Sequence, residues 1–344
     1  MGNDSLLKQI QIKRKLRETL STTTFVLQPL NNWRPNYKAG QFLTILFKTI
    51  SGEKRRSYSI SSSPDLNEEL SITVKSQENG EFSRWLLEKT SEGDILTTIG
   101  ISGFFLLPND LFLYKRYVFF AAGSGITPCF SMIKTILRTG SQKVVLIYSS
   151  TQPEETIFFR QLNKLAESSA TQLTIHYIFS RNHGSKSDRL NNDQVVKLLN
   201  ETPDKVDSVY YLCGPHRYMQ MVSISLIAEG VPEKNIKKEN FNDIPVQQPR
   251  IPADTGSHAV TIKFLNEIFR LSVPYPMTIL EAAKARNIGL PYSCEAGRCG
   301  SCAARCISGK IYMGYNEVLT EKDEKSGLVL TCQGYPLSDA ELEF

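Results

Sequence analysis

Histidine is scarce in this chain: His176, His183, His216 and His258 are the only four among 344 residues, and none falls in a metal-like cluster. There is no paired E-x-x-H motif for a diiron centre and no C-x-x-C-H for attached haem, so any oxygen chemistry sits on another chain. No apolar stretch approaches the ~18 residues of a membrane span. Met1 to Leu20 is polar and charged and lacks the apolar core of a secretory leader. Gly2 is followed by Leu6 where a myristoylation motif wants Ser or Thr. A formal charge of +5 without a long basic block argues against nucleic acid as a partner. Internal repeats and low-complexity tracts are missing as well. The expected compartment is the cytoplasm, where thiols stay reduced. At 41% hydrophobic over this length, the chain can fill two or three domain cores.

Cysteine is where the sequence becomes specific. Cys294, Cys299, Cys302 and Cys332 follow a C-x4-C-x2-C-x29-C pattern, the ligand spacing of a plant-type [2Fe–2S] centre. Two irons and two sulfides need four thiolates converging on a small volume, and one tight loop, Pro291 to Cys302, supplies three. Gly297 and Gly300 let that backbone curl and aim N–H groups at sulfur. The fourth ligand ends an apolar run, Gly327 to Thr331, that reads as a strand closing the cavity. Buried free thiols, disulfides or zinc are the other uses of cysteine, but structural zinc favours closely spaced pairs and fits a lone Cys332 poorly. Cys306, four residues past the third ligand, reads as an ordinary buried thiol on a strand. Glu295 and Arg298 are expected to flank the exposed edge of the loop.

The rest of the chain divides by rhythm. Short β-branched runs at Thr22 to Leu27, Gln41 to Lys48, Arg56 to Ser61, Leu70 to Lys75 and Asp94 to Ile99 suggest an antiparallel β-barrel over residues 1–112. Turns at Ser51-Gly52 and Glu78-Asn79-Gly80 punctuate them. Residues 113–243 alternate apolar strands (Tyr117 to Ala122, Lys143 to Ser149, Gln172 to Ser180, Val209 to Cys213) with helical stretches (Pro128 to Arg138, Glu154 to Glu167, Asn192 to Leu199, His216 to Ala228). That alternation implies a doubly wound parallel α/β sheet. A polar, Pro-rich stretch, 244–258, reads as a linker. Residues 259–344 form the third domain: a hairpin of Ala259 to Phe264 and Ile268 to Val273 turns at Leu265-Asn266-Glu267, and Thr278 with Glu281 makes a capping box for a helix through Ala285.

Four short motifs stand in this framework. In Arg56-Ser57-Tyr58-Ser59, strand alternation puts Arg56 and Tyr58 on one face, a cation and a ring such as a flavin and its phosphate require, though ordinary strands pair Arg with Tyr too. Gly80-Glu81-Phe82-Ser83 opens a helix and suits phosphate oxygens or a plain N-cap. Gly123-Ser124-Gly125-Ile126-Thr127-Pro128 joins strand to helix as a relative of the dinucleotide fingerprint: the glycines admit a pyrophosphate, Thr127 can cap and Pro128 suits the first helical turn. It could also be a ligand-free glycine turn. Cys213-Gly214-Pro215 closes a later strand where such sheets bind ligands, and Cys213 is either beside a nicotinamide or a buried core thiol.

In this order and spacing the chain resembles the ferredoxin–NADP reductase superfamily with a plant-type ferredoxin fused at its C-terminus. It is most similar to the phenylacetyl-CoA epoxidase reductase subunit and related oxygenase reductases, whose phrasing matches Ala121 to Pro128, Phe82-Ser83-Arg84 and Glu239-Asn240-Phe241. The resemblance implies a flavin domain, a nucleotide domain and a β-grasp ferredoxin domain. It implies an NAD(P)H-dependent oxidoreductase that passes electrons through flavin and a [2Fe–2S] cluster to a separate oxygenase, desaturase or similar protein. A flavin is needed because a nicotinamide gives two electrons as hydride while the cluster accepts one. Arg56, Ser57, Tyr58, Ser59, Ile72, Val74, Lys75, Gly80, Phe82 and Ser83 would hold the flavin, with Ser59 near its N5 and Phe241 shielding one face. Gly123, Gly125, Thr127, Pro128, Cys213, Gly214 and Pro215 would hold the nucleotide, with Cys213 bordering the nicotinamide. Gly80-x-x-Ser83 favours FAD over FMN. Arg181, with Arg189 nearby, favours NADPH over NADH, although Tyr148 to Gln152 carries no basic residue. A reductase for another partner, such as a hybrid-cluster protein, or a redox-sensing module are the competing readings.

Overall fold

A computed structural model describes residues 7–50, 52–78, 80–181, 189–201, 204–241 and 251–344. Its first sheet starts at β1 (Lys8–Thr19), a strand that fully buries only Ile10 and Ile12 and carries Lys8, Lys13, Arg14, Lys15 and Arg17. That cationic run hides the alternation, so sequence rhythm places no strand before Thr22. β1 pairs antiparallel with β2 (Thr22–Pro29). β3 (Phe42–Thr49) is buried from Phe42 through Phe47, and β4 (Gly52–Ser59), β5 (Ser71–Lys75) and β6 (Ile95–Ser102) complete the order β4-β3-β6-β1-β2-β5. A single bridge, Ile60 to Ile72, joins the two end strands and curls the sheet into a barrel around Phe25, Leu43 and Ile45. α1 (Glu81–Lys89) follows β5, with Gly80 at its N-cap.

The second sheet is parallel throughout, in the order β11-β10-β7-β8-β9. Its strands are β7 (Arg116–Ala122), β8 (Lys143–Ser150), β9 (Leu173–Phe179), β10 (Ser208–Cys213) and β11 (Ile236–Glu239). α2 (Ile126–Thr139) and α3 (Phe159–Ser168) pack into one core, α4 (Asn192–Asn200) and α5 (His216–Ala228) into another, so both faces are covered. The helix expected over 154–167 is interrupted because Phe158 takes φ 61°, and α3 starts only after it.

The third sheet is mixed: β13-β12-β18-β14-β16, from β12 (Ser257–Phe264), β13 (Glu267–Pro274), β14 (Ala303–Ser308), β16 (Leu328–Leu330) and β18 (Ala340–Glu343). β15 (Ile311–Met313) and β17 (Gly334–Pro336) form a separate pair, α6 (Ile279–Ala285) sits against the sheet with its capping box made, and α7 (Glu321–Lys325) precedes β16. Leu265 and Asn266 take φ 50° and 63°, a two-residue turn that leaves Glu267 in the strand rather than the loop. Likewise β12 takes Ser257 and His258 from the stretch read as linker, of which 244–250 lie outside the described residues.

Polar contacts lock the barrel to α2: Ser131 donates to the Ser62 carbonyl at 2.6 Å, Ser63 and Thr135 hydroxyls lie 2.8 Å apart, and Lys134 pairs with Glu68. Among the described residues no helix is long and apolar enough to cross a membrane.

Candidate active site

Two clefts adjoin where the barrel faces the other sheets. The smaller, about 360 Å³, lies between β4, β5 and the start of α1; the larger, about 1330 Å³, continues from it to the cysteine loop. Arg56, Ser57, Ser59, Phe82 and Phe241 line both. Arg56 stacks over the Phe82 ring at 4.7 Å. Tyr58 lines the smaller cleft while packing against the barrel core, and burial pushes its hydroxyl pKa up. Val74, Lys75, Gly80 and Ser83 line it too. Ile72 does not: it is wholly enclosed in the barrel core, and Thr73, unforeseen in the sequence, faces the cleft in its place. Ser83 is the third residue of α1 rather than its cap; its hydroxyl accepts from Gln77 N–H at 3.2 Å and donates to the Gly80 carbonyl at 3.0 Å. The turn is thereby tied, which leaves the free N–H groups at the start of α1 for an anion. A cation, flanking rings and a helix start around one flat cleft fit a flavin phosphate.

Behind this cleft the glycine turn packs on the parallel sheet. Ser124 lines the smaller cleft, and Gly123 takes φ 55° beside Lys75. Gly125 lies so close to β10 that a Cβ there would meet the Cys213 carbonyl oxygen at 2.0 Å. Thr127, expected as a cap, is inside α2, where its hydroxyl donates to the Ser124 carbonyl at 2.9 Å; Pro128 is in the same first turn. The Cys213 thiol is fully enclosed with Cys129 in the core beneath α2, burial raises both pKa values, and Cys213 lines neither cleft. Gly214 and Pro215 follow it at the strand end. Arg181 and Arg189 are exposed beyond β9, outside both clefts, and the Arg181 N–H donates to the Thr151 carbonyl at 2.9 Å.

Cys294 and Cys299 line the larger cleft, whereas Cys302 and Cys332 are almost fully enclosed. All four are free thiols in two hydrogen-bonded pairs, Cys294 with Cys299 and Cys302 with Cys332. The bond from Cys299, and then N–H groups of Ala296, Arg298 and Cys299, push Cys294 down to about 6, while Cys302 is lowered chiefly by its bond with Cys332. Their partners go the other way: donating to Cys294 raises Cys299, and donating to Cys302 raises Cys332. Four converging sulfurs, two of them lowered toward thiolate, beside backbone N–H groups suit the donor set of a two-iron cluster. Arg298 is not on the exposed edge: it is enclosed and paired with Glu317 at 3.1 Å, leaving Glu295, bound by Lys284 at 2.6 Å, at the surface. Cys306 is half-buried rather than buried, since a register shift between Cys306 and Ser308 turns β14 outward.

One group had no role assigned from the sequence, although it stands in the phrase Glu239-Asn240-Phe241. Glu239 ends β11 next to Cys213 and lines the larger cleft, and among the described residues its buried Oε2 meets no hydrogen-bond donor. Burial raises its pKa from the ordinary 4.5 to about 8. The folded chain therefore keeps a proton that the unfolded chain releases above its lower pKa, and stability falls as pH rises between those values. The melting temperature should drop from pH 5 to about pH 8, and Glu239→Gln should flatten that slope; an equal slope in the variant would assign the effect to other groups.

The fold and site define a pyridine-nucleotide oxidoreductase with flavin and iron–sulfur modules. Family models match over residues 9–106 (oxidoreductase FAD-binding domain), 119–223 (oxidoreductase NAD-binding domain) and 265–337 (2Fe–2S iron–sulfur cluster binding domain). The ferredoxin reductase component of the 3-ketosteroid-9-alpha-monooxygenase of Rhodococcus rhodochrous is 31% identical over 344 residues, covering 96% of this chain and 94% of its own. One component of the 1,2-phenylacetyl-CoA epoxidase of Escherichia coli strain K12 is 30% identical, covering 97% and 96%. The structure of phthalate dioxygenase reductase, 25% identical, superimposes with a TM-score of 0.62 over 98% of this chain and 97% of that one. The chain belongs to the family of reductase components built from an FAD-binding, an NAD-binding and a [2Fe–2S] domain.

Proposed function

We propose that this protein draws electrons from NADPH and delivers them singly to a separate oxygenase or desaturase-type component; relatives named as a ferredoxin reductase component and a reductase subunit of monooxygenases support that reading. The observation that supports this most directly is that Ser59, Phe241 and Cys294 share one cleft, so the flavin motif and a cluster ligand face each other without intervening chain. When bound, FAD would convert the nicotinamide's hydride into the single electrons a [2Fe–2S] cluster accepts. Arg56 and the N–H groups opening α1 would hold its phosphates, Tyr58 and Phe241 would bracket the ring system, and Ser59 would offer its hydroxyl to the ring edge. The turn at 123–125 would seat the nucleotide pyrophosphate, with Lys75 reaching the same turn from the barrel. Cys294, Cys299, Cys302 and Cys332 would hold the irons.

The test is an anaerobic titration with NADPH and then NADH, followed by visible absorbance and low-temperature EPR. Flavin bleaching with a rhombic [2Fe–2S] signal is expected. A cluster that neither nucleotide reduces would end the reductase reading and favour the sensing module. NADPH is favoured over NADH because Arg181, an exposed cation just beyond β9, would be available to a 2′-phosphate. Removing a charge-assisted hydrogen bond of that kind costs about tenfold in affinity. Arg181→Ala should therefore raise KM for NADPH about tenfold and leave KM for NADH alone; equal shifts for both would discard the assignment.

A further inference from the structure

We propose that Arg55 is a positioning residue: it holds the cysteine loop against the flavin strand, and its grip on Tyr292 governs how fast electrons cross to the cluster. This deepens the function proposed above and rests on it. Arg55 lies on β4 immediately before Arg56, yet strand alternation turns it the other way, toward the third domain. Its side chain is 11% exposed, and Glu53 accepts from Nε at 2.8 Å. Nη1 donates to the Tyr292 carbonyl at 3.1 Å while the guanidinium lies 3.6 Å from the Tyr292 ring centroid. The planar fork of arginine is what allows one group to stack and donate at once. Tyr292 stands two residues before Cys294. Its ring also meets Lys284 at 4.7 Å, and Lys284 in turn binds Glu295, the residue after that ligand.

The contact continues along both chains. Ser57, two residues on from Arg55, places its hydroxyl 2.6 Å from that of Ser293. At the far end of the loop, Ser102 and Ser301 hydroxyls are 2.8 Å apart, and Gly300 leaves no room for a Cβ against the Phe104 ring. The barrel thus grips residues 292–301 at both ends, and Cys294 and Cys299 lie between the grips. Among the described residues Arg55, backed by Glu53, is the barrel cation that touches the loop, and a desolvated cation over a ring is among the stronger side-chain contacts. With the cofactors bound, each hydride would supply two electrons and leave NAD(P)+; the electrons would cross this junction one at a time, each reducing one ferric iron that the external acceptor would reoxidise.

The experiment compares wild type with Arg55→Ala, Tyr292→Ala and Tyr292→Phe as intact, cofactor-loaded proteins. Stopped-flow absorbance reads NADPH-driven cluster reduction, ferricyanide reads electrons taken directly from the flavin, and hydrogen–deuterium exchange reads residues 290–301. R55A and Y292A should slow cluster reduction about tenfold by depopulating the docked loop. Ferricyanide reduction should hold within about twofold, and exchange should rise in 290–301. Y292F keeps ring and carbonyl and should match wild type. Should R55A not accumulate as folded protein, Y292A makes the same test from the loop side. Wild-type cluster reduction in both alanine variants, parallel loss of both rates, or equal damage from Y292F and Y292A would overturn the proposal. If wild type passes no electrons from nucleotide to cluster, it is the functional reading that fails, and the exchange comparison still judges the contact.

Discussion

Gly125→Ala is expected to slow reduction by NADPH and NADH alike by about a hundredfold or more while the cluster keeps its absorption. A Cβ at this position would lie 2.0 Å from the Cys213 carbonyl oxygen and 2.4 Å from its carbon. Both are backbone atoms of β10, held in register by β7 and β11, so neither can rotate aside. The backbone at Gly125, φ −62°, would accept any residue, and the close approach alone demands glycine. Overpacking of this sort costs about 1–3 kcal/mol or more, and the sheet can relieve it only by lifting the first turn of α2 off the strand end. That movement carries the 123–127 turn out of line. Flavin bleaching under anaerobic conditions should show kcat/KM down by about a hundredfold or more, with a lower melting temperature. A folded variant with normal nucleotide kinetics would show that this turn does not seat the dinucleotide.

Cys302→Ala is expected to remove the cluster altogether. Cys302 is 2% exposed, and the further thiol packed against the same core, Cys306, donates instead to the Ser308 carbonyl at 3.3 Å. Thr331, next to the fourth ligand, binds the Cys302 carbonyl through its N–H at 3.2 Å and its hydroxyl at 3.0 Å. These bonds survive the substitution, so the loop path is retained and the loss is one of ligation. The purified variant should show flavin absorbance only, no [2Fe–2S] EPR signal and cytochrome c reduction below about 1% of wild type, with ferricyanide reduction intact. A retained rhombic signal would take Cys302 out of the ligand set. Cys306→Ala, by contrast, should leave the spectrum unchanged.

Much of this architecture is legible along the chain because it rests on local signals. The alternation of apolar strands with amphipathic helices announces the parallel sheet, and the spacing of four cysteines identifies a loop that must close on itself. The failures have physical causes of their own. β1 escapes notice because its cations outnumber its core residues, and β11 because Ile236–Glu239 offers one apolar residue among charges. The resemblance implies Ile72 as a flavin residue, but its side chain goes to the core. Arg55 and Tyr292 are 237 residues apart, and no periodicity links them; only the folded chain brings them together. Glu239 stands in a phrase that the resemblance picks out, but nothing in its neighbours says that its carboxyl will be enclosed at a strand end.

The barrel closes through one bridge, and its two outermost strands, β4 and β5, are the ones that line the smaller cleft. Apart from the Ile60–Ile72 bridge and the Ser61 N–H that donates to the Ser71 carbonyl at 2.8 Å, no ladder among the described residues pairs β4 with β5. Under the function proposed above, a flat cofactor with a phosphate tail held there would stand where a seventh strand would, covering edges along which sheets from different molecules otherwise join. Protein prepared without flavin accordingly presents two such edges, and its tendency to aggregate should track cofactor content.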